Sequence, residues 1–585
     1  MQEAARSPFY GTRGNRNARC LVVGESWGAE EAAHKCAFVG QSGRELDRIL
    51  ADAGIASNEV IFSNVRAEQP PDNEMSWFFH SNAEAKEWGL TAVRGLYPDV
   101  ETLAELRRLE ELISILQPTV IVGCGNYTLW ALTEGSFRTA SHAPRRGEPT
   151  RRCPTGVTSW RGSQLTTRTI AGKQYPFVPI IHPAAILRDW TWRTPTVHDL
   201  RARVRPLLEG RQWSITERRF IVRPSWADVM NTLAMLFTLP PTCVIAEDCE
   251  TRAGHIACLG LSWSASDALC IPFMCTERDD GYWSDDEEWS IRQALRKLHE
   301  RRDLVFVLQN ASYDFQYYDL ECIPLPSQVF DTMIAHHLLF PGTRKGLDYL
   351  SAMYCQHHIY WKDEGKTWDD DLPEEQLWNY NCLDAATTWE CALVLREAIA
   401  RSHMQTQFDE RIANFRLAHE MNQRGCLIAR EEMQQQRVAI MRQRMEREQY
   451  LAELMPADIA RAIRGSSAKS PWYYSPQQQM NFFYRELAFP QRIKRKTGLP
   501  TIDDEALKRI EEAEPLMAPY THTLRDLRSL SVYHDNILSM ELDPDHRARS
   551  TYNVAGASNF RWSSKANAFG RGTNLMNIPK GVDKG

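Results

Sequence analysis

At 585 residues the chain is too long for one hydrophobic core, and length alone suggests about four domains. Its 43% hydrophobic and 25% charged residues are those of ordinary globular protein, and the net charge of −6 excludes a uniformly basic nucleic-acid coat while leaving room for local basic footprints. No apolar run approaches ~18 residues and no apolar core follows the basic N-terminus, so neither a membrane span nor a secretory signal is expected.

Residues 1–210 read as an α/β domain. Cys20-Leu21-Val22-Val23-Gly24 predicts a short buried strand, with Glu25-Ser26-Trp27-Gly28 as the loop after it. Val60-Ile61-Phe62, Thr119 to Gly123 and Phe177 to Ile181 predict three more strands, with helices at Gly43 to Ala53 and Glu101 to Leu116. Short strands alternating with helices predict a parallel sheet, and such sheets gather ligand-binding residues at their strand ends. The segments "GESWGAEE", "CAFVGQSGRELDRILADAGI", "IFSNVRAEQPP", "PTVIVGCG" and "IIHPAAILRD" resemble the family 4 uracil-DNA glycosylases over most of residues 18–190. The resemblance implies that Glu25 positions or activates water, Phe38 stacks on a flipped base, Asn64 reads uracil and His182 stabilises the departing base. A base turned out of a duplex needs such stacking and polar readout. Two departures stand against carrying the activity over. Trp27 replaces the family's loop proline, and Glu68 stands at a cluster-ligand position, with no cysteine between Cys36 and Cys124. No iron–sulfur cluster is therefore expected. The competing reading is a DNA-binding or packing domain that keeps the old pocket.

Residues 211–400 contain Val244-Ile245-Ala246-Glu247-Asp248-Cys249-Glu250-Thr251, an apolar strand that ends in acid. Asp248 and Glu250 are two apart, so on a strand both point to one face, with Cα atoms roughly 6.6–7 Å apart. Carboxylates so placed repel unless cations lie between them, and two Mg²⁺-type ions roughly 3.5–4 Å apart would fit. Ile256 to Trp263 predicts a second strand beyond a turn at Arg252-Ala253-Gly254-His255. Val305-Phe306-Val307-Leu308 predicts a third, leading to a helix start at Asp314. An apolar helix follows Asp331, and Trp378 to Asp384 reads as helical, which puts Tyr380 and Asp384 on one face. Order, spacing and the flanks "QNASYDFQYY", "FDTMIAHHLL" and "YNCLDAATTWE" resemble the tyrosine subclass of DEDD 3′→5′ exonucleases, and in particular the proofreading domain of family A DNA polymerases. The resemblance implies an RNase H-like α/β fold and two divalent ions, Mg²⁺ or Mn²⁺, held by Asp248, Glu250 and Asp384, with Asp314 supporting the second ion. It implies that Tyr380 orients the attacking water and that Thr251 and Asn310 contact the terminal nucleotide. The acids Asp279, Asp280 and Asp285 to Glu288 read as an exposed loop and helix start.

Residues 401–585 read as mostly helical. A long helix is expected from Phe408 to Arg424, stopped by Gly425, then another from Glu431 past Met445, and one starting at Ser475-Pro476. "RLAHEMNQRGCLIAREEM", "SPQQQMNFFYREL" and "KRKTGLPTIDDEALKRI" resemble the opening and thumb of the family A polymerase domain. "TYNVAGASNFRWSSKANAFGRGTNLMNIPKG" resembles the segment entering the palm. That match implies Arg561 in the minor groove near the primer end, with Ser563, Asn574 and Asn577 beside the duplex. Met576 and Asn559-Phe560 depart from the family's usual residues. In the family the palm aspartates and the fingers lysine lie beyond the position of Gly585, so this chain is expected not to polymerise alone. Asp583 has no strand context.

The 14 cysteines include no C-x-x-C pair, and Cys243 and Cys258 fall in apolar runs, which fits a reducing cytoplasm; the polymerase resemblance implies that of a bacterium or a phage-infected host. Two basic clusters, Arg145, Arg146, Arg151 and Arg152, and Arg492, Lys494, Arg495 and Lys496, are equally DNA contacts or solvated faces. The expected partner is DNA, as primer–template and single-stranded 3′ ends. Three readings stay open: the N-terminal part of a phage-type family A polymerase with its exonuclease; a DNA-holding subunit working with a separate palm–fingers chain; and a stand-alone repair enzyme joining uracil removal to end trimming.

Overall fold

The computed structural model describes residues 6–134, 156–278, 281–366, 368, 372–464, 470–494 and 498–578. The chain forms two compact units, Met1–Ala413 with Ala557–Arg561, and Asn414–Gly556 with Trp562–Gly585. Arg145, Arg146, Arg151, Arg152, Arg495, Lys496, Asp279, Asp280 and Asp583 lie outside the described residues.

The first unit contains two six-stranded sheets. One is built from β1 Arg13–Gly14, β2 Cys20–Ser26, β3 Val60–Arg66, β4 Val120–Cys124, β5 Leu165–Thr166 and β6 Pro176–Ile180, in the spatial order β1-β3-β2-β4-β6-β5. The strands β3, β2, β4 and β6 run parallel, and β1 and β5 close the edges antiparallel. Parallel strands are covered on both faces. That is why Cys20 to Gly24 and all of β3 are buried, and why the sequence shows unbroken apolar runs there. The strand β3 continues past its apolar run through Ser63 and Asn64, because Arg66 at its end is neutralised by Glu68 and Asp99, each at 2.7 Å. The chain leaves β2 to one side for β3 and to the other for β4, which makes the carboxyl ends of these strands the switch point where open α/β sheets bind ligands.

The second sheet has β7 Arg219–Ile221, β8 Val244–Arg252, β9 His255–Ser262, β10 Asp267–Pro272, β11 Val305–Leu308 and β12 Val329–Asp331, in the order β12-β11-β8-β9-β10-β7. The central strand β8 pairs in parallel with β11 and antiparallel with β9. Ala253 and Gly254 turn the β8–β9 hairpin with φ of 51° and 86°. The 28-residue helix Glu374–Arg401 packs across β8, β9 and β10. Cys243 lies one residue ahead of β8 and is half-buried, because the strand starts at Val244.

The second unit is mainly helical, as its sequence suggests. Helices Arg430–Leu454, Asp504–Ala513 and Ala518–Tyr533 surround a core that includes Leu451, Trp472, Phe482, Phe483, Leu507 and Leu524. Ser475 caps the helix that begins at Pro476, and Ser550–Asn553 pairs antiparallel with Ser563–Ala566. Arg492 is tied to Asp503 and Glu505, so this member of the basic cluster is already neutralised within the chain. Among the described residues no helix is long and apolar enough to cross a membrane.

Candidate active site

Along β8, Asp248 and Glu250 are half-buried while Cys249 between them is buried, the alternation that turns both carboxylates to one face. The helix Glu374–Arg401 crosses that face closely because Gly260 of β9 sits opposite Asp248. A β-carbon at Gly260 would lie 2.7 Å from Asn381 Oδ1. In the space so gained, Asn381 Nδ2 donates to both the carbonyl and Oδ2 of Asp248, each at 2.9 Å. Tyr380 and Asp384, four apart on the same helix, are delivered to the same place. The result is a group of three acids, Asp248, Glu250 and Asp384, whose oxygens lie within 4.8 Å of one another. Among the described residues no other group of three or more acids, cysteines or histidines converges this way.

Asp314 enters from the side. It begins the helix Asp314–Leu320, and its Oδ1 accepts from the backbone N–H of Cys249 at 3.2 Å. Asn310, in the left-handed region with φ of 63°, turns the chain from β11 toward that helix. Asp331 holds the turn: it is 1% exposed and accepts from Ala311 N at 2.8 Å, Met333 N at 2.8 Å and Ile334 N at 3.0 Å. Thr251 Oγ1 lies 2.7 Å from the Tyr313 hydroxyl.

Burial of so many acids sets the electrostatics. Burial, then Asp384 and its neighbours, pushes Glu250 up to about 8, with Lys362 opposing. Burial also raises Asp314 to about 7 and lifts Asp248 well above the carboxylate range. Among the described residues, the Lys362 ammonium answers them. Lys362 Nζ bonds Asp384 Oδ2 and lies 3.0 Å from the Tyr380 hydroxyl, while Trp361 Nε1 donates to Asp384 Oδ1 at 2.6 Å. Three facing carboxylates are the donor set that hard divalent cations take, so the residues present fit such an ion.

Residues 12–202 match the model of the uracil DNA glycosylase superfamily, and residues 227–400 that of the 3′-5′ exonuclease family. The chain carries a glycosylase-like domain followed by a 3′-5′ exonuclease domain. A DNA polymerase of Bacillus phage SP01 is 21% identical over an alignment of 642 residues, which takes in 96% of this chain and 63% of the relative. Among solved structures, the POL domain of Pol1 from M. smegmatis in complex with DNA primer-template and dNTP superposes with a TM-score of 0.45 at 20% identity, over 62% of this chain and 57% of that one. The chain therefore spans less than two thirds of the length of either protein.

In the glycosylase-like domain, Phe38 and Asn64 both pack on Gly24, where a β-carbon would come within 2.6 Å of each. The Asn64 amide donates to Ser26 O at 3.2 Å, and its Oδ1 is buried without a partner. Glu25 sits one residue on, accepting from Tyr127 N at 3.0 Å at the start of the helix Asn126–Leu132. Burial raises it to about 7, against those backbone bonds. His182 caps the helix Pro183–Arg188, its Nδ1 accepting from Ala184 N at 3.3 Å, and burial lowers it to about 4. Glu25, Asn64 and His182 thus lie at strand ends, and Phe38 comes from the turn before the helix Gln41–Asp52 to pack beside Asn64 on Gly24. Glu68, which the resemblance puts at a cluster-ligand position, is spent on Arg66, and a carboxylate so paired does not suit a thiolate-ligated cluster.

Of the remaining expected residues, Arg561 lies exposed in the first unit, its backbone N–H donating to Asn559 Oδ1 at 3.3 Å. Ser563 is exposed on its hairpin, Asn574 Oδ1 accepts from Ser564 Oγ at 2.6 Å, and Asn577 is exposed. Sequence reasoning missed Trp361, Lys362, Asn381 and the role of Asp331. Asn381 lies between two expected residues on the same helix, and Asp331 precedes a helix as an acidic cap, so both carried a signal. Trp361 and Lys362 carried none.

Proposed function

We propose that this chain is a metal-dependent 3′→5′ DNA exonuclease of the proofreading kind, working within a phage-type family A DNA polymerase. The observation that carries it is the convergence of Asp248, Glu250 and Asp384 beside Tyr380, inside the segment that matches the exonuclease family. Residues 211–400 are the exonuclease in this reading, with residues 1–210 as the glycosylase-like domain and 401–585 as the start of the polymerase domain.

Asp248, Glu250 and Asp384 would hold two ions, Mg²⁺ or Mn²⁺, with Asp314 supporting the second. Once bound, such ions lower the pKa of a water and offset charge growing on the phosphate. The rest falls to side chains. Tyr380 orients the attacking water through its hydroxyl. Asn381 fixes the Asp248 carboxylate through Oδ2. Thr251 and Asn310 flank the terminal nucleotide, and Tyr313 steadies Thr251. Arg561, Ser563, Asn574 and Asn577 are assigned to duplex DNA.

The test uses single-stranded DNA labelled at its 5′ end. With Mg²⁺ the labelled strand should shorten stepwise from the 3′ end, and a chelator should stop it. Release of the labelled nucleotide first, or undiminished cleavage in chelator, would contradict the proposal.

A further inference from the structure

The chain from Gln356 to Lys362 is held at one end by the glycosylase-like domain and reaches the exonuclease acids at the other. Gln164 grips it twice: its backbone N–H donates to His358 O at 2.9 Å, and its Oε1 accepts from His358 N at 2.8 Å. Ser163 Oγ accepts from Tyr360 N at 3.2 Å, and the rings of Trp160 and Tyr360 lie 5.2 Å apart. Arg203 donates to the carbonyls of Cys355 and Gln356 just upstream. Ser163 and Gln164 are 0% and 7% exposed, so these are interior contacts. Immediately beyond Tyr360, Trp361 and Lys362 bond the two carboxylate oxygens of Asp384, and Lys362 also bonds the Tyr380 hydroxyl.

We propose that the glycosylase-like domain completes the exonuclease site, with Ser163 and Gln164 as positioning residues that act through Trp361 and Lys362. The proposal rests on the exonuclease reading of the Asp248 site. Two residues of chain span at most about 7 Å, so a shift at Tyr360 cannot be absorbed before Lys362. Lysine only donates hydrogen bonds, so the Tyr380 oxygen accepts from Nζ and its own proton is left to point elsewhere. Lys362 thereby sets which way the hydroxyl meets a water. It also competes with an incoming cation for Asp384, since both carboxylate oxygens are already engaged. The N-terminal domain thus has a use in strand excision that does not depend on uracil chemistry.

The test is a double-mutant cycle in the full chain, with Gln164→Ala and Lys362→Met. Single-turnover excision should fall about tenfold in Gln164→Ala and further in Lys362→Met, with KM for the oligonucleotide nearly unchanged. The combined loss should fall well short of the product of the two, because Gln164 acts through Lys362. Two readouts need no turnover. Ca²⁺ binding by calorimetry should tighten at least about threefold in Lys362→Met, where a competing charge is gone. Hydrogen exchange in the peptide spanning residues 356–366 should quicken in Gln164→Ala and in Ser163→Ala. Ser163→Ala repeats the excision test if Gln164→Ala fails to fold. Wild-type excision by a folded Gln164→Ala or Ser163→Ala variant, or losses that multiply in full, would overturn the inference. Failure of the exonuclease reading looks different: excision by the unmutated protein would then be missing or untouched by Asp248→Ala.

Discussion

Gly365 offers a sharp probe of how Tyr380 is placed. It lies in the short helix Lys362–Lys366, directly against the tyrosine ring. A β-carbon there would stand 2.5 Å from Tyr380 Cζ and 2.7 Å from both Cε atoms. Carbon atoms in contact sit about 3.5–4.0 Å apart, so Gly365→Ala must drive ring and helix apart by about 1 Å. A displacement of that size at a reacting group is worth up to about 10²-fold in rate. The helix itself gains up to about 1 kcal/mol from alanine over glycine, while overpacking costs about 1–3 kcal/mol, so the fold should survive with a modest loss. The assay is single-turnover removal of a 3′ nucleotide at saturating Mg²⁺, together with the strand's dissociation constant. The rate should drop between about tenfold and 10²-fold with binding changed little. In a Tyr380→Ala background, where no ring remains to be hit, Gly365→Ala should cost nothing more. A Gly365→Ala variant as fast as wild type, or one equally damaging without the ring, would refute the account of how Tyr380 is positioned.

Other expectations follow from the acids. Folded Glu250, at about 8, and Asp314, at about 7, hold protons that the unfolded chain releases near pH 4 to 4.5. Their contribution to stability is present below the unfolded values and is lost as pH rises toward 8. Metal-free protein should therefore melt lower at pH 8 than at pH 5, and Glu250→Gln should lessen that fall; an unchanged pH slope in the variant would contradict it. Divalent ion at about 100 times its Kd should restore about 2.7 kcal/mol, and at one fixed ion concentration the gain should be larger at pH 8 than at pH 5, where protons compete for the acids. Asp331→Ala leaves three backbone N–H groups without an acceptor, two of them buried, so unfolding should be easier by about 3 kcal/mol. Asp331→Asn, which keeps an oxygen at the helix start, should be milder, and equal melting of the two would count against this role.

What the sequence made legible was what its short-range periods encode. Asp248 and Glu250 two apart on an apolar run, and Tyr380 and Asp384 four apart on a helical one, share faces by geometry alone, and the structure places them so. That β3, β2, β4 and β6 run parallel followed from alternating strands and helices, but their order across the sheet did not, and the antiparallel edges β1 and β5 are two residues each and leave no period to read. Gly260 and Gly365 matter because of what approaches them from elsewhere in the chain, Asn381 and Tyr380. Lys362 was the largest omission. Its segment follows no apolar repeat, and the contacts that fix it join residues nearly two hundred positions apart, from Ser163 and Gln164 to His358 and Tyr360.

The central claim is that Asp248, Glu250 and Asp384 form the cation site of a strand-shortening enzyme. Its most direct test is the double variant Asp248→Ala with Glu250→Ala, assayed for Mg²⁺-dependent release of 3′ nucleotides from single-stranded DNA beside its affinity for duplex DNA. The account predicts that excision disappears while the fold and duplex binding persist. Undiminished excision by the purified double variant would contradict it.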